Sequence, residues 1–366
     1  MSSENEIVEP TGPPPYPRAT MRLQFHEGFT FEDAKALIPY MADLGISHVY
    51  ASPLLQARPG STHGYDIVDH NSINREIGDR ASLQEFVDAL HARGMGLILD
   101  FVPNHMGVGY ADNDWWLHVL EWGEASPYAQ FFDIDWRPAE ESLRGKVLLP
   151  VLGDRYGAVL EGGELVLHFL SREGSFSVFY YEHRFPISPH HYAEILRKGT
   201  ELVPRAEPAL RPLIREFGNL SRKPRGRKQQ SGTLKRAEEL KGALGRLAAS
   251  EADVAAACEA ACSAYNGEPG KPRSFDELHR LLEAQAYRAS YWRLAANEIN
   301  YRRFFDINDL AGIRVEEPEV MSITHHLVYQ LMQDQVIQGL RLDHIDGLRD
   351  PKQYLERLQE AAGFRT

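Results

Sequence analysis

Short apolar runs and amphipathic segments alternate along the first hundred residues of the chain. Runs rich in β-branched and aromatic residues predict three strands, over residues 21–26, 46–52 and 97–102. Apolar residues at helical spacing predict helices over residues 31–44 and 83–93. Thr30 caps the first helix, and Ser82 with Glu85 forms a capping box ahead of the second. Strands separated by helices in this way predict parallel βα units with right-handed crossovers.

The pattern changes after the third predicted strand. Residues 106–190 are rich in Trp, Tyr, Gly and Pro, with strand-like pieces at 146–151 and 165–169, and residues 191–290 predict mainly helix. The alternation resumes with a helix over 320–335, a strand over 339–343 and a helix over 351–362. We therefore predict an insertion over residues 106–300. A flexible Pro-rich leader is expected over residues 1–18, and a long loop over residues 53–78.

Polar side chains stand at or just after the carboxyl ends of the predicted strands: Gln24, His26, Ser52, Asp100, Asn104 and His105. A closed (β/α) barrel assembles its active site at that edge. A doubly wound open sheet binds ligands at the same edge, so this pattern alone fits both folds.

Composition and charge narrow the range of functions that the chain can have. The net charge of −12 argues against a general binder of nucleic acid or of membrane surfaces, and it suits a neutral substrate. No apolar run is long enough to span a membrane, and the cytoplasm is the expected location. The two cysteines, Cys258 and Cys262, are expected to be buried thiols, because they can form neither a disulfide framework nor a zinc site.

A basic stretch is expected to be a solvated loop between helices; its members are Arg222, Lys223, Arg225, Arg227 and Lys228. Four tryptophans of the insertion fit two interpretations equally well, a sugar-clasping pocket or the insertion's own core: Trp115, Trp116, Trp122 and Trp136.

Three short clusters carry candidate chemistry, and each has a structural alternative. Residues 100–105 pair an aspartate with a histidine, which is often only a structural hydrogen bond, and the His-Gly-Tyr-Asp turn at 63–66 is weak evidence alone. Within residues 339–347, alternation directs Arg341 and Asp343 to one face of a strand. A neighbouring arginine keeps a carboxylate ionised and oriented, as a glycosidic nucleophile requires. A structural Arg–Asp bridge is an equally weighted alternative.

Taken together, Asp-x-x-x-Asn-His after the third strand and Gly-x-Arg-x-Asp on the fourth resemble the signature regions of glycoside hydrolase family 13, the α-amylase family. The resemblance implies a (β/α)8 TIM barrel with its long insertion, domain B, after the third strand. It implies the first part of the barrel over residues 19–105, domain B with a helical excursion over 106–300, and resumption of the barrel over 301–366.

The same resemblance implies roles for individual residues and no cofactor. Asp343 would be the nucleophile, Arg341 would sustain its charge, and His105 would hydrogen-bond the sugar where the bond breaks. The expected substrate-binding residues are His63, Tyr65, Asp66, Asp100, Asn104 and His344. Tyr65 would stack on the sugar, whereas Asp100 and Asn104 would mostly hold the architecture. His344 departs from the family pattern, because many members carry a histidine four residues after the nucleophile, where this chain has Gly347.

Longer segments, among them YASPLLQARPGSTHGYDIVDHNSINREIG and NEINYRRFFDINDLAGIRVE, resemble the maltooligosyl trehalose synthase family within family 13. That resemblance implies an isomerase that moves the reducing-end glucose of a maltooligosaccharide from an α-1,4 to an α,α-1,1 bond. It also implies a pathway partner, maltooligosyl trehalose trehalohydrolase.

Three other functions stay open at this point. The first is another α-glucan hydrolase or transferase of family 13, and the second is a non-catalytic glucan-binding fragment. The third, a metal-dependent enzyme using Asp100, His105 and His344, has no recognisable ligand spacing and is disfavoured.

The chain ends 23 residues beyond Asp343. In the family the general acid, a glutamate, lies on the fifth barrel strand and a further aspartate on the seventh. We therefore expect only about four of the eight strands in this chain, the N-terminal half of a barrel. We also expect the 366-residue polypeptide alone to be inactive and poorly soluble.

Overall fold

The computed structural model describes residues 16–221, 227–361 and 363. It divides into two compact units, which we call the sheet unit, Met1–Val108 with Arg303–Thr366, and the inserted unit, Gly109–Arg302. Most of the predicted leader and the predicted loop residues Arg222, Lys223 and Arg225 lie outside the described residues. Within the described ranges, no helix combines the length and apolar character needed to cross a membrane.

The sheet unit begins with eight elements: β1 Thr20–Leu23, α1 Phe31–Asp43, β2 His48–Ala51, β3 Leu55–Ala57, β4 Ile67–Ile73, α2 Arg80–His91, β5 Gly96–Phe101 and β6 His105–Gly107. The inserted unit contains α3 Asp114–Trp122, β7 Val147–Leu152, α4 Tyr156–Glu161, β8 Val166–Leu170, β9 Ser175–Tyr180, β10 His183–Pro186, α5 Tyr192–Leu202, α6 Glu207–Gly218, α7 Arg227–Ser250, α8 Ala252–Tyr265, α9 Asp276–Glu283, β11 Tyr287–Tyr291 and α10 Ala295–Glu298. The sheet unit resumes with β12 Arg303–Phe304, β13 Ile307–Gly312, α11 Pro318–Thr324, α12 His326–Gln333, β14 Gly339–Leu342 and α13 Pro351–Ala361.

Four parallel strands form the main sheet of the sheet unit, in the order β1-β2-β5-β14. Their order in space is their order along the chain, so each strand pairs with the next after a crossover that contains a helix. Buried apolar side chains such as Val49, Leu97 and Leu99 fix the sheet against its helices. The predicted alternation of strands and helices is therefore present, as a parallel α/β sheet.

The first two helices have clear local causes. In α1, Thr30 and Asp33 form a reciprocal capping box, and Phe31, Ala34, Ile38 and Met41 bury one face at helical spacing. The predicted capping box of α2 is wrong, because the helix begins one turn earlier. Its N-cap is Asp79, whose side chain accepts from the backbone N–H of Ser82 at 2.8 Å.

Two further predictions for the sheet unit are corrected. The predicted loop over residues 53–78 contains an antiparallel pair, β3 with β4, with irregular register. The predicted helix over 320–335 is two helices, α11 and α12, which meet at the buried His325. Its imidazole Nε2 lies 2.9 Å from the Tyr354 hydroxyl, so a buried polar contact stands where the apolar periodicity predicted a continuous helix.

The inserted unit has its own sheets and core. Strands β8, β9 and β10 form an antiparallel sheet, and β7 pairs in parallel with β11. Cys258 and Cys262 are buried free thiols in α8, as predicted. Trp116 is 1% exposed and packs edge-on against Phe132, so this tryptophan belongs to the unit's core. The loop prediction is wrong for Arg227 and Lys228, because both belong to α7, where Lys228 is exposed.

Candidate functional site

The predicted site residues of the sheet unit gather at the carboxyl ends of its parallel strands. Asp100 on β5 lies in register with Arg341 on β14. The backbone N–H of Asp343 donates to the Phe101 carbonyl at 2.9 Å, which extends the pairing one residue beyond β14. Two strands that are distant in sequence therefore place three charged side chains at one edge of the sheet.

Arg341 binds two carboxylates at once. Its Nη1 donates to Asp343 Oδ1 at 2.6 Å and to Asp100 Oδ1 at 3.0 Å. Partial burial opposes the charge, but the hydrogen bonds to Asp100 and Asp343 raise the pKa of the guanidinium above its usual value. The Asp100 side chain is fully buried, whereas the Asp343 side chain keeps 15% of its surface exposed. Asp343 is therefore the carboxylate of this trio that a ligand can reach.

Two tyrosines donate hydrogen bonds to the other carboxylate oxygen of Asp100. The hydroxyls of Tyr50, on β2, and Tyr65 each donate to Asp100 Oδ2 at 2.6 Å. Burial, followed by the hydrogen bond to Asp100, raises the pKa of Tyr65 to about 12, so this hydroxyl stays protonated and donates. With both oxygens engaged, Asp100 anchors Arg341 and Tyr65 rather than presenting a free base.

Arg22 and Gln24 extend the cluster to β1. Arg22 Nη2 lies 3.4 Å from the Tyr65 hydroxyl, and its guanidinium lies 5.5 Å from the centre of the Tyr50 ring. Gln24 Nε2 donates to the carbonyls of Thr62 and His63 at 3.0 and 3.2 Å. The sequence reasoning singled out Gln24 and missed Arg22 and Tyr50. Arg22 could have been found from strand alternation, because residues two apart on a strand, such as Arg22 and Gln24, point to the same face.

The loop between β3 and β4 carries His63, Tyr65 and Asp66. Gly64 has a φ of 78°, and a Cβ there would lie 2.8 Å from the Pro53 carbonyl, so this turn requires glycine. Asp66 Oδ1 accepts from the Ser61 hydroxyl at 2.5 Å, and the exposed His63 ring lies 3.8 Å from the same carboxylate oxygen. Residues 63–66, which were weak evidence in the sequence, thus form an ordered turn that places the Tyr65 hydroxyl against Asp100.

Asn104 and His105 lie beneath that loop, both buried. His105 Nε2 is 3.2 Å from the Tyr65 carbonyl, and its ring centre is 4.3 Å from that of Phe304. Asn104 Nδ2 is 3.4 Å from His105 Nδ1. In this conformation His105 supports the backbone of Tyr65 and offers no exposed edge to a sugar.

His344 follows Asp343 directly and has a left-handed backbone, with φ of 50°. Its ring centre is 4.8 Å from that of Phe304, and its Nδ1 is 3.4 Å from Asp346 Oδ1. A Cβ at Gly347 would lie 2.6 Å from the His344 ring, so glycine makes room for the imidazole. Within the described part of the chain, no group of three or more His, Cys, Asp or Glu side chains is arranged to hold a metal ion.

Comparisons with known proteins identify relatives of this chain. The family model for the α-amylase catalytic domain matches residues 35–157. A putative maltooligosyl trehalose synthase of Mycobacterium tuberculosis is 33% identical over 92% of this chain, which covers 31% of that protein. The chain therefore spans about a third of the length of the curated relatives it matches.

Solved structures give the same relationship. Maltooligosyltrehalose synthase from Arthrobacter ramosus superposes with a TM-score of 0.65 and 33% identity, covering 95% of this chain and 34% of that one. A hypothetical maltooligosyl trehalose synthase of Sulfolobus tokodaii gives a TM-score of 0.62 at 27% identity, covering 94% and 34% of the two chains. The resemblance inferred from the sequence is confirmed. Nearly the whole of this chain is related to a segment that makes up about a third of the length of maltooligosyl trehalose synthases, and residues 35–157 match the α-amylase catalytic domain.

Proposed function

We propose that this chain supplies the nucleophile and part of the sugar site of a (1→4)-α-D-glucan 1-α-D-glucosylmutase, an isomerase acting on maltooligosaccharides. One observation carries the proposal. Arg341 bridges the buried Asp100 and the accessible Asp343 at the carboxyl edge of a parallel sheet. The guanidinium at 2.6 Å orients the Asp343 carboxylate for attack on an anomeric carbon.

The architecture that we propose is the first half of a (β/α)8 barrel. The four parallel strands β1, β2, β5 and β14 would be barrel strands one to four, and the inserted unit would be domain B with its helical excursion. Active sites of such barrels assemble at the carboxyl ends of the strands, where the charged trio lies.

The first chemical step forms a covalent glycosyl-enzyme. An oxygen of Asp343 attacks the anomeric carbon of the penultimate glucosyl unit, and the α-1,4 bond to the reducing-end glucose breaks. The leaving O4 takes a proton from a carboxylic acid. We assign no residue of this chain to that role, and the family resemblance places the acid on a fifth strand.

The second step transfers the sugar back to the released glucose. The anomeric hydroxyl of that glucose attacks the same carbon, loses its proton to the conjugate base formed in the first step, and displaces Asp343. Two inversions give an α,α-1,1 product with one proton returned to its donor. The released glucose has to turn while water stays out, because water in its place would complete a hydrolysis.

The remaining site residues bind and position the sugar. Tyr65 presents a ring whose hydroxyl is fixed on Asp100, which suits stacking on the sugar at the point of cleavage. His63 and Asp66 form the wall beside it, and His344 borders Asp343. His105 and Asn104 are positioning residues in this arrangement, because His105 acts through the Tyr65 carbonyl.

Product analysis tests the proposal. Maltopentaose is incubated with the protein expressed from the complete open reading frame in which this chain lies, and reducing ends and free glucose are measured over time. A mutase lowers the reducing ends and accumulates a non-reducing pentasaccharide with little glucose. Maltooligosyl trehalose trehalohydrolase, the proposed pathway partner, then releases trehalose from it. Rising reducing ends would instead identify a hydrolase. Binding of maltopentaose without any product would identify a glucan-binding protein.

A further inference from the structure

An exposed aromatic residue stands at the tip of the hairpin formed by β12 and β13. Phe305 is 69% exposed and has a φ of 50°, a left-handed backbone that a bulky side chain rarely adopts. Such a residue gives up apolar burial and accepts backbone strain, and strain of this kind concentrates at ligand-binding positions. Among the described residues, little packs on this ring, so a ligand can reach it.

The ring is held close to the candidate nucleophile. The centre of the Phe305 ring lies 5.0 Å from that of His344, the residue after Asp343. Phe304 is wedged among three rings, with centres 4.3 Å from His105, 4.5 Å from Phe305 and 4.8 Å from His344. Four aromatic rings therefore run from the buried base of the site to its surface, and Phe305 is the outermost.

The hairpin that carries Phe305 is firmly attached to the sheet unit. Strand β13 pairs with β6, placing Gly312 opposite His105 and Ala311 opposite Met106. Arg303 closes the turn by donating to the Asp306 carbonyl at 3.2 Å and to the Asn308 side chain. The position of Phe305 relative to Asp343 is thus set by backbone pairing rather than by a free loop.

We propose that Phe305 is a substrate-contact residue whose exposed face stacks on a glucosyl unit of the α-1,4 chain beside the cleavage point. A pyranose presents a face of C–H groups, which packs well on an uncharged aromatic ring. The proposal rests on the proposed function and deepens it, because it assigns a specificity-determining contact to a residue outside the predicted set of site residues.

Steady-state kinetics with maltopentaose test this contact, using the protein expressed from its complete open reading frame. For Phe305→Ala we expect KM to rise about tenfold with kcat changed less than about threefold, since the stacking contact is made in both ground and transition states. Phe305→Tyr should stay within about twofold of the wild-type KM, because it keeps the ring. The matched control is Ile307→Ala, which removes another exposed apolar side chain, 43% exposed, from the same hairpin.

Phe305→Gly separates binding from a structural role. Glycine tolerates the left-handed backbone, so this variant should match or exceed the wild-type thermal midpoint while its KM rises as for alanine. An unchanged KM in the alanine and glycine variants, with mutase product still formed, would overturn this contact and leave the proposed function intact. A wild-type protein that neither binds nor converts maltopentaose would overturn both.

Discussion

The two units each contain a carboxylate paired with a cation, and the pairs differ in what surrounds them. In the inserted unit, Glu121 accepts from Lys241 at 3.1 and 3.2 Å and from the Trp122 indole at 2.7 Å. Only 12% of the Lys241 side chain and 8% of the Glu121 side chain are exposed. Burial raises the pKa of Glu121, and Lys241 works against that rise. We call this pair closed because both of its side chains are buried, although Lys241 also binds the more exposed Glu238.

The pair in the sheet unit is open. The Arg341 side chain is 45% exposed, and within the described residues Asp343 accepts its side-chain hydrogen bond at one oxygen only, from Arg341. In the proposed mechanism, its second carboxylate oxygen would attack the anomeric carbon. A cation–carboxylate pair is therefore a candidate site when the carboxylate is accessible and has an oxygen free to bind a ligand. A buried pair whose hydrogen bonds are satisfied within the protein is structural.

The largest expected effect is on catalysis at the open pair. Asp343→Asn keeps the shape of the side chain but removes its charge, so turnover of maltopentaose should fall on the order of 10⁴-fold with little change in thermal midpoint. Asp334→Asn is the matched control, because Asp334 is an exposed carboxylate of the same unit, paired with Arg80. Comparable activity in Asp343→Asn and wild type would remove the distinction between the two pairs.

The next largest effect is on stability at the closed pair. Glu121→Ala leaves Lys241 buried, with Glu238 as its remaining partner at 2.6 Å. Urea denaturation should show a loss of about 3 kcal/mol, the lower end of the cost of breaking a buried pair. The double variant Glu121→Met with Lys241→Met should recover most of that loss. A loss below about 1 kcal/mol in Glu121→Ala would mean that the pair is not closed as described.

A smaller effect concerns the response of the sheet unit to acid. Burial, with a contribution from the nearby His70, lowers the pKa of His325 from 6.5 to about 3. The unfolded chain takes up a proton below pH 6.5 and the folded chain does not, so stability falls as pH drops from 6.5 towards 3. Between pH 7 and pH 5 this histidine should cost about 2 kcal/mol.

His325→Gln tests the acid response. It keeps a polar group near Tyr354 but does not titrate, so its unfolding free energy should depend less on pH over the same range. The measurement is the urea midpoint of both proteins at pH 7 and pH 5. Equal pH dependence in the two proteins would show that His325 is not the group responsible.

The smallest effect concerns the support of Asp100. Tyr50→Phe deletes one of the two hydroxyls that donate to Asp100 Oδ2, while Tyr65 still donates. Losing one hydrogen bond to a charged group should lower kcat/KM about tenfold, equivalent to about 1–2 kcal/mol. Arg22→Met is the companion variant, because it removes the guanidinium that contacts the Tyr50 ring and the Tyr65 hydroxyl and leaves both hydroxyl donors to Asp100 in place. A loss in Tyr50→Phe as large as that in Asp343→Asn would contradict a supporting role.

Local signals made much of the sheet unit predictable. The strands and the first helix follow from apolar runs, caps and glycines, all of which act within a few residues. The pairing of Arg341 with Asp343 follows from alternation along one strand. The role of Asp100 in holding Arg341 was not predictable in this way, because it depends on the register of β5 against β14 across more than two hundred residues.

Other features were missed for the same physical reason. Tyr50 and Arg22 belong to the site only because β1, β2 and β5 are neighbours in the sheet. The β3–β4 pair was taken for loop, since its polar, irregular register lacks clean alternation. Phe305 lies in a segment that carries the family resemblance, but the sequence assigned it no role, because its exposure and left-handed backbone appear only when the hairpin has formed.

Trapping of the glycosyl-enzyme tests the central claim most directly. A 5-fluoro-α-glucosyl fluoride needs no protonated leaving group, so a competent nucleophile can form the covalent adduct without the general acid. Peptide mass spectrometry should then find one added fluoroglucosyl group on the peptide containing Asp343, and no adduct in Asp343→Asn. A label on a different carboxylate, or turnover of the fluoride without any adduct on Asp343, would contradict the account.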